Sequence, residues 1–373
     1  MTAELDDYLA SFAEPTGYLN FGSYGPPSRA VVETIGRLTA EASAGVPSAG
    51  LHARDEHTLA AVARLTGFDR GAVALTPSTS FGLLQIAFGM PRGAVLVSSA
   101  EFPSNLYAWW RARDAGLITV RTLPAVPGDG LAPVTPERVA ASLTPDTVAV
   151  AVSAVDFRTG VRADLAGLRA AIGDRLLVVD GIQGFGVVDQ DWTVADALVV
   201  GGQKWLRAGW GTGFVALSPR GLARLRPVLG GWTGVENPSH YDGVPHEPLP
   251  GAQRFSTTNG SPFASGALAT ALAQLESVGV ATVQRRIEET ATAFIDRLLA
   301  ADIPVLSPVA PQERAGLVVV GIADGAAQAV HQRLDAAGVT ATVHGDGRIR
   351  FSIHATTAPA ALDAALTVLG APS

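Results

Sequence analysis

Seven short apolar runs, each closed by turn residues, constrain this chain more than any other feature. They are AVALT (72–76), AVLVSS (94–99), LITVRTLP (117–124), TVAVAVSAV (147–155), RLLVVDG (175–181), DALVVGG (196–202) and GTGFVALS (211–218). Most lack the polar alternation of a half-solvated strand, the pattern of strands buried on both faces of a parallel sheet. Helical stretches lie between them, at 57–67, 80–89, 103–116, 135–143 and 163–173. This alternation predicts an α/β layered domain with right-handed crossovers. At 373 residues the chain exceeds one core of typical size. A Gly- and Pro-rich stretch (230–262) is followed by helices at about 263–279 and 281–301. Strands near 316–322, 339–344 and 348–353 come next, with helices at about 325–337 and 358–369. That second alternation predicts a smaller α/β domain.

Several function classes are excluded early. The net charge is −7 and no Lys/Arg-rich run occurs, which argues against nucleic acid or an anionic membrane as partner. There is no cysteine, so disulfides, thiolate metal sites and cysteine nucleophiles are removed together. The start, MTAELDDYLASF, is acidic and lacks a signal-peptide pattern, and no apolar run reaches transmembrane length. A soluble cytoplasmic protein is expected. The seven histidines show no metal-ligand spacing, so no metal is expected; His52 and His57 read as solvated helix residues. GWGTGF (209–214) precedes a strand rather than opening a helix, so it is not a dinucleotide fingerprint.

In an open parallel sheet, ligands bind outside the carboxyl ends of the strands. VVDGIQ closes one run on Asp180, and VVGGQKW closes another on Lys204. Either residue alone is equally well read as a cap or a solvated turn residue. Together they suggest a cationic ligand group facing Asp180 and an electrophile facing Lys204. Pyridoxal phosphate presents both, since a lysine forms a Schiff base with its aldehyde. A carboxylate about 4 Å from the ring nitrogen, at an effective dielectric of ~20, favours its proton by roughly 4 kcal/mol, or ~3 pKa units. The phosphate would suit the hydroxyls and free N–H groups where a helix starts in LTPSTSFGLLQIAFG (75–89), with Ser78, Thr79 and Ser80 as candidates. An N-cap by Ser78 or Ser80 is the plain alternative, and the two roles are compatible. Phe102, in SAEFPSNLYAWW (99–110), could stack on the ring.

With these residues in hand, the chain resembles the class V aminotransferase family of pyridoxal-phosphate enzymes. The resemblance rests on VVDGIQGFG…GGQKWLRAGWGTG, on YLNFGSYGPPS (18–28) and on RIRFSIHATTAPAALDAAL (348–366). It implies the type I fold: a large domain with a mixed, mostly parallel seven-stranded sheet flanked by helices, plus a smaller C-terminal α/β domain. The expected bounds are 1–30 for an N-terminal segment bordering the site, 31–255 for the large domain and 256–373 for the small one. The resemblance makes Lys204 the Schiff-base lysine and proton carrier, Asp180 the partner of the ring nitrogen, and Gln183 a neighbour of the phenolic oxygen. It gives Phe102 the ring, Ser78 and Thr79 the phosphate, and Arg350 the substrate carboxylate, with Asn20 beside the substrate and Gln203 beside the cofactor. EFPSNLYA and VDFRTG (155–160) are closest to kynureninase-like members. In that branch, positions matching Trp232 and Asn259 serve the neighbouring subunit's phosphate, which implies a homodimer with shared sites. Gln203 stands where that branch has Tyr. A cysteine desulfurase needs a cysteine for sulfur uptake, so that activity is not expected. The expected function is reaction at the Cα of a small amino acid, read first as amino transfer. The alternatives are a β-eliminating lyase (C–S or kynureninase-like), an epimerase, or a non-catalytic binding protein for the same cofactor.

Overall fold

The computed structural model describes residues 3–126, 129–345 and 347–370. Helices α1 (Ala3–Ala10), α2 (Arg29–Ser43), α3 (Ser48–Leu51) and α4 (Asp55–Thr66) precede the first strand. Alternation then sets in: β1 (Val73–Leu75), α5 (Thr79–Phe88), β2 (Ala94–Ser98), α6 (Ser104–Asp114), β3 (Thr119–Leu123), α7 (Pro136–Ser142), β4 (Thr147–Ser153) and α8 (Leu165–Ile172). It closes with β5 (Leu176–Asp180), β6 (Ala197–Gly201), β7 (Gly213–Leu217) and α9 (Pro219–Arg224). All seven expected strands are present, in the order β1-β7-β6-β5-β4-β2-β3. Five run parallel as β6-β5-β4-β2-β3, while β7 is antiparallel to both its neighbours. The connection from β6 to β7, residues 202–212, is too short for a crossover helix, so the chain must turn back on itself.

Every residue of β5 and β6 is buried, which explains the unbroken apolar runs. Alternate side chains feed two cores. Val150, Val152, Leu177, Val179, Leu198 and Val200 face one side. Ala149, Ala151, Leu176, Val178 and Val199 face the other, where Leu83 and Ile86 of α5 and Leu106 and Trp109 of α6 cover them.

Next come α10 (Pro262–Val278) and α11 (Val280–Ala300), then β8 (Leu317–Gly321), α12 (Ala327–Ala336), β9 (Thr342–Val343), β10 (Arg348–Ser352) and α13 (Pro359–Gly370). The second sheet has the order β8-β10-β9, antiparallel throughout. Its core gathers Phe294, Ile295, Leu298, Val318, Val320, Leu334, Ile349 and Phe351. The strand expected over 339–344 shrinks to the two residues of β9, because Thr340 and Ala341 are drawn into other contacts: Thr340 pairs with Gly17 and Leu19, and the Ala341 carbonyl accepts from His331. α10 is buried with the large sheet through Ala267, Leu268, Ala271 and Leu272. A division at residue 255 would part this helix from its core. We propose that the boundary falls within α11, whose Val283 and Ile287 join the large core and whose Phe294 and Leu298 join the small one.

The N-terminal segment ties the halves together. Tyr18 bridges to Thr340 and Asn20 to Ser352, and the Gly25 N–H donates to the Gln203 carbonyl at 2.9 Å. Upstream, Glu14 is ion-paired with Arg207, which is 1% exposed, has φ 58° and lies 3.5 Å from the Phe12 ring centroid. Thr356 also donates to Glu14, at 2.6 Å. Among the described residues no single helix is long and apolar enough to cross a membrane.

Candidate active site

β5 and β6 are parallel neighbours, so their carboxyl ends open on the same edge. Asp180 is the last residue of β5, and Lys204 follows β6 in the turn that leads to β7. Both are buried, at 2% and 8% exposure. Burial pushes the Asp180 carboxyl up to about 6, against the Ile182 N–H (3.0 Å from Oδ1) and the charge of Lys204, which pull it down. Burial likewise holds the Lys204 amine down to about 8; Asp180 works against this and Arg350 with it. Each group would be relieved by a ligand bringing a cation to one and a carbonyl carbon to the other.

Most of the other candidates lie near this pair, and Trp232 and Asn259 do not. Ser78 caps α5, its Oγ accepting the Phe81 N–H at 3.1 Å. Thr79 is buried in the first turn of α5, and its hydroxyl has no partner among the described residues. It abuts the end of β6: a Cβ on Gly201 would stand 2.8 Å from Thr79 Oγ1 and 2.6 Å from Gln203 Oε1. A side chain at this position would have to displace both oxygens. Ser80 and Ser104 share a 2.7 Å hydrogen bond that joins the N-termini of α5 and α6. Two helix starts with an unmet hydroxyl suit a dianion.

Phe102, 39% exposed between β2 and α6, has its ring centroid 5.2 Å from Lys204 Nζ. Gln183 is buried, donating to the Gly22 carbonyl (2.9 Å) and accepting from the Trp205 indole (2.7 Å). Arg350 enters from β10, 3% exposed. It donates to the Phe157 carbonyl (3.1 Å), Ser23 Oγ (3.0 Å) and Thr342 Oγ1 (3.4 Å), while its Nε has no partner among the described residues. No carboxylate there pairs with it, and burial lowers its guanidinium to about 10. Asn20 stands one step back, accepting from Thr342 at 2.6 Å. Trp232 and Asn259 are exposed between β7 and α10, and no contact among the described residues joins them to this cluster.

Three neighbours escape the sequence reading. Glu101 is buried after β2, and both its oxygens accept from Ser153. Phe157 packs edge-on against Phe102 (5.2 Å) and against His344 (5.6 Å). Burial, Arg350 and Arg348 hold the His344 imidazole down to about 4, so it is neutral. Glu101 follows an apolar strand just as Asp180 does, and that signal could have found it. The donor set fits pyridoxal phosphate: an amine and, among the described residues, a carboxyl with no ion-paired cation, a hydroxyl at a helix start with no hydrogen-bond partner and a guanidinium with no ion-paired carboxylate.

Known proteins are similar in the same sense. The model of the family described as Aminotransferase class-V matches residues 45–355. The kynureninase of Deinococcus radiodurans is 30% identical over 277 residues, 70% of this chain and 65% of that protein, so the chain spans somewhat under two thirds of it. The isopenicillin N epimerase of Streptomyces clavuligerus is 30% identical over 259 residues, 65% of this chain and 62% of that one. Among solved structures, the cystine C–S lyase C-DES, in complex with cysteine persulfide, superimposes with a TM-score of 0.86 at 22% identity, covering 97% of this chain and 99% of that one. That last likeness carries the fold alone.

Proposed function

The chain belongs to the class-V aminotransferase family, whose members depend on pyridoxal phosphate, and on that premise we propose that it acts at the Cα of a small amino acid, as a lyase that breaks a bond at the β-carbon. The observation that carries the chemistry is the pairing of a buried amine and a buried carboxyl at adjacent strand ends. When bound, the cofactor supplies an aldehyde for amines and a ring that accepts the electron pair released at Cα. Lys204 would hold the aldehyde end and, as an amine, would move the Cα proton. Asp180 would keep the ring nitrogen protonated. Thr79, Ser78 and the α5 N-terminus would hold the phosphate, and Phe102, 5.2 Å from Lys204 Nζ, would pack against the ring. Gln183, bonded to the Gly22 carbonyl and the Trp205 indole, and Gln203, whose carbonyl accepts the Gly25 N–H, would tie the N-terminal segment to the turn beside the cofactor. Arg350, buried with no anionic partner among the described residues, would take the substrate carboxylate, and Asn20 would steady it through Thr342.

The kynureninase likeness moves amino transfer, first in the sequence reading, behind β-elimination. Epimerisation is the second reading, favoured by the likeness to isopenicillin N epimerase. The lack of cysteine decides nothing by itself, since lyase chemistry at sulfur needs no protein thiol. Purified protein mixed with pyridoxal phosphate is expected to be yellow and to fix the cofactor to the chain on borohydride reduction. Lys204→Ala is expected to stay colourless. Amino acids are then screened with and without keto acids. Turnover without a keto acid supports the lyase; strict dependence on one overturns it in favour of amino transfer. Inversion at Cα with no other product points to the epimerase.

A further inference from the structure

We propose that Glu101 is a positioning residue for the cofactor's ring-nitrogen proton, a second carboxylate acting through Ser153 and Asp180. The inference rests on the cofactor reading above. Glu101 follows β2, Ser153 ends β4 and Asp180 ends β5, three successive strands of the sheet, with Ser153 registered directly opposite Asp180. Both Glu101 oxygens are held, one by the Ser153 N–H at 2.9 Å and the other by its hydroxyl. The carboxyl therefore cannot swing out to water. It is 9% exposed, and no cation contacts it among the described residues. A buried carboxylate in that state is costly unless a ligand brings the cation.

The groups facing it leave one place for that cation. On β4 it meets Ser153, on β5 the Asp180 charge, and on α6 Asn105. The cavity beside it also holds Asp156 and Arg158, but these pair with each other at 2.6 Å and largely cancel. Lys204 and Arg350 bear on the far side, through Asp180 and through each other. Burial, with Asp180 adding to it, raises Glu101 to about 7, so a cation at Asp180 would draw both carboxyls into their charged forms. At roughly 10 Å, two strand spacings, one charge at an effective dielectric of ~20 alters a proton-binding constant about tenfold.

The test loads wild type, Glu101→Gln and Ser153→Ala with pyridoxal phosphate carrying nitrogen-15 in its ring, and follows that nucleus by NMR against pH. Glu101→Gln is expected to release the ring-nitrogen proton about one pH unit earlier, a tenfold loss. Ser153→Ala, which frees the carboxylate toward water, is expected to shift it less in the same direction. An unchanged midpoint in either folded, fully loaded variant overturns the inference while leaving the cofactor reading standing. If Glu101→Gln fails to fold, the Ser153→Ala midpoint alone decides. Failure of wild type to take up the cofactor sinks both.

Discussion

At the scale of single residues, the site is held in a state that a ligand would relax. Asp180 rises to about 6, above an unfolded value near ~3.9. Its contribution to stability is therefore full below the unfolded value and lost as pH rises through about 6. Lys204 is held to about 8, below ~10.4 unfolded, so its contribution is present above the unfolded value and lost as pH falls through about 8. At neutral pH the apoprotein bears both penalties. Asp180→Asn keeps an acceptor for the Ile182 N–H and removes the charge. It is expected to stabilise the apoprotein at pH 7 by up to about 3 kcal/mol, with little effect near pH 4, and to weaken cofactor binding at least ~100-fold. Urea unfolding of the apoprotein at the two pH values, with a cofactor titration, checks this; equal stability at pH 7 would refute it. Asp180 and Lys204 were legible because each interrupts an apolar run with a charge. Phe157 and His344 were not, since only tertiary packing brings their loops to Phe102 and Arg350.

At the scale of elements, burial on both faces made the strands legible: a strand with no solvent face must be apolar throughout. α1 and α2 went unassigned. α2 buries only a stripe of Val31, Thr34 and Leu38 in an otherwise polar sequence, a weaker signal than a continuous run. Nor could spacing reveal how closely the N-terminal segment presses on the lysine turn. A Cβ on Gly25 would overlap the Lys204 carbonyl oxygen and come within 2.8 Å of Arg207 Cγ. Gly25→Ala is expected to cost about 1–3 kcal/mol and to lower cofactor affinity, read by urea unfolding and absorbance titration. Gly36→Ala, in α2 with nothing within 4 Å, is the control, and should instead stabilise by roughly 0.5–1 kcal/mol.

At the scale of the molecule, strand and helix alternation sufficed to foresee two α/β units. The resemblance, rather than spacing, linked Arg350 on the small sheet to Lys204 on the large one. We propose a homodimer in which Trp232 and Asn259, both exposed, complete the partner's phosphate site. Lys204→Ala and the double variant Trp232→Ala/Asn259→Ala are each expected to be inactive alone. Co-expressed, they should form a hybrid with one intact site of two, about half the wild-type activity per hybrid; a monomer by sedimentation, or an inactive hybrid, would end that proposal. Glu14 bonds Arg207 beside the lysine turn and also Thr356, 342 positions later. The turn is thus fastened by two segments that lie 342 positions apart along the chain. Cutting the bond at either end, as in Glu14→Gln or Thr356→Ala, leaves Lys204 and Asp180 in place but is expected to loosen the backbone that carries the lysine.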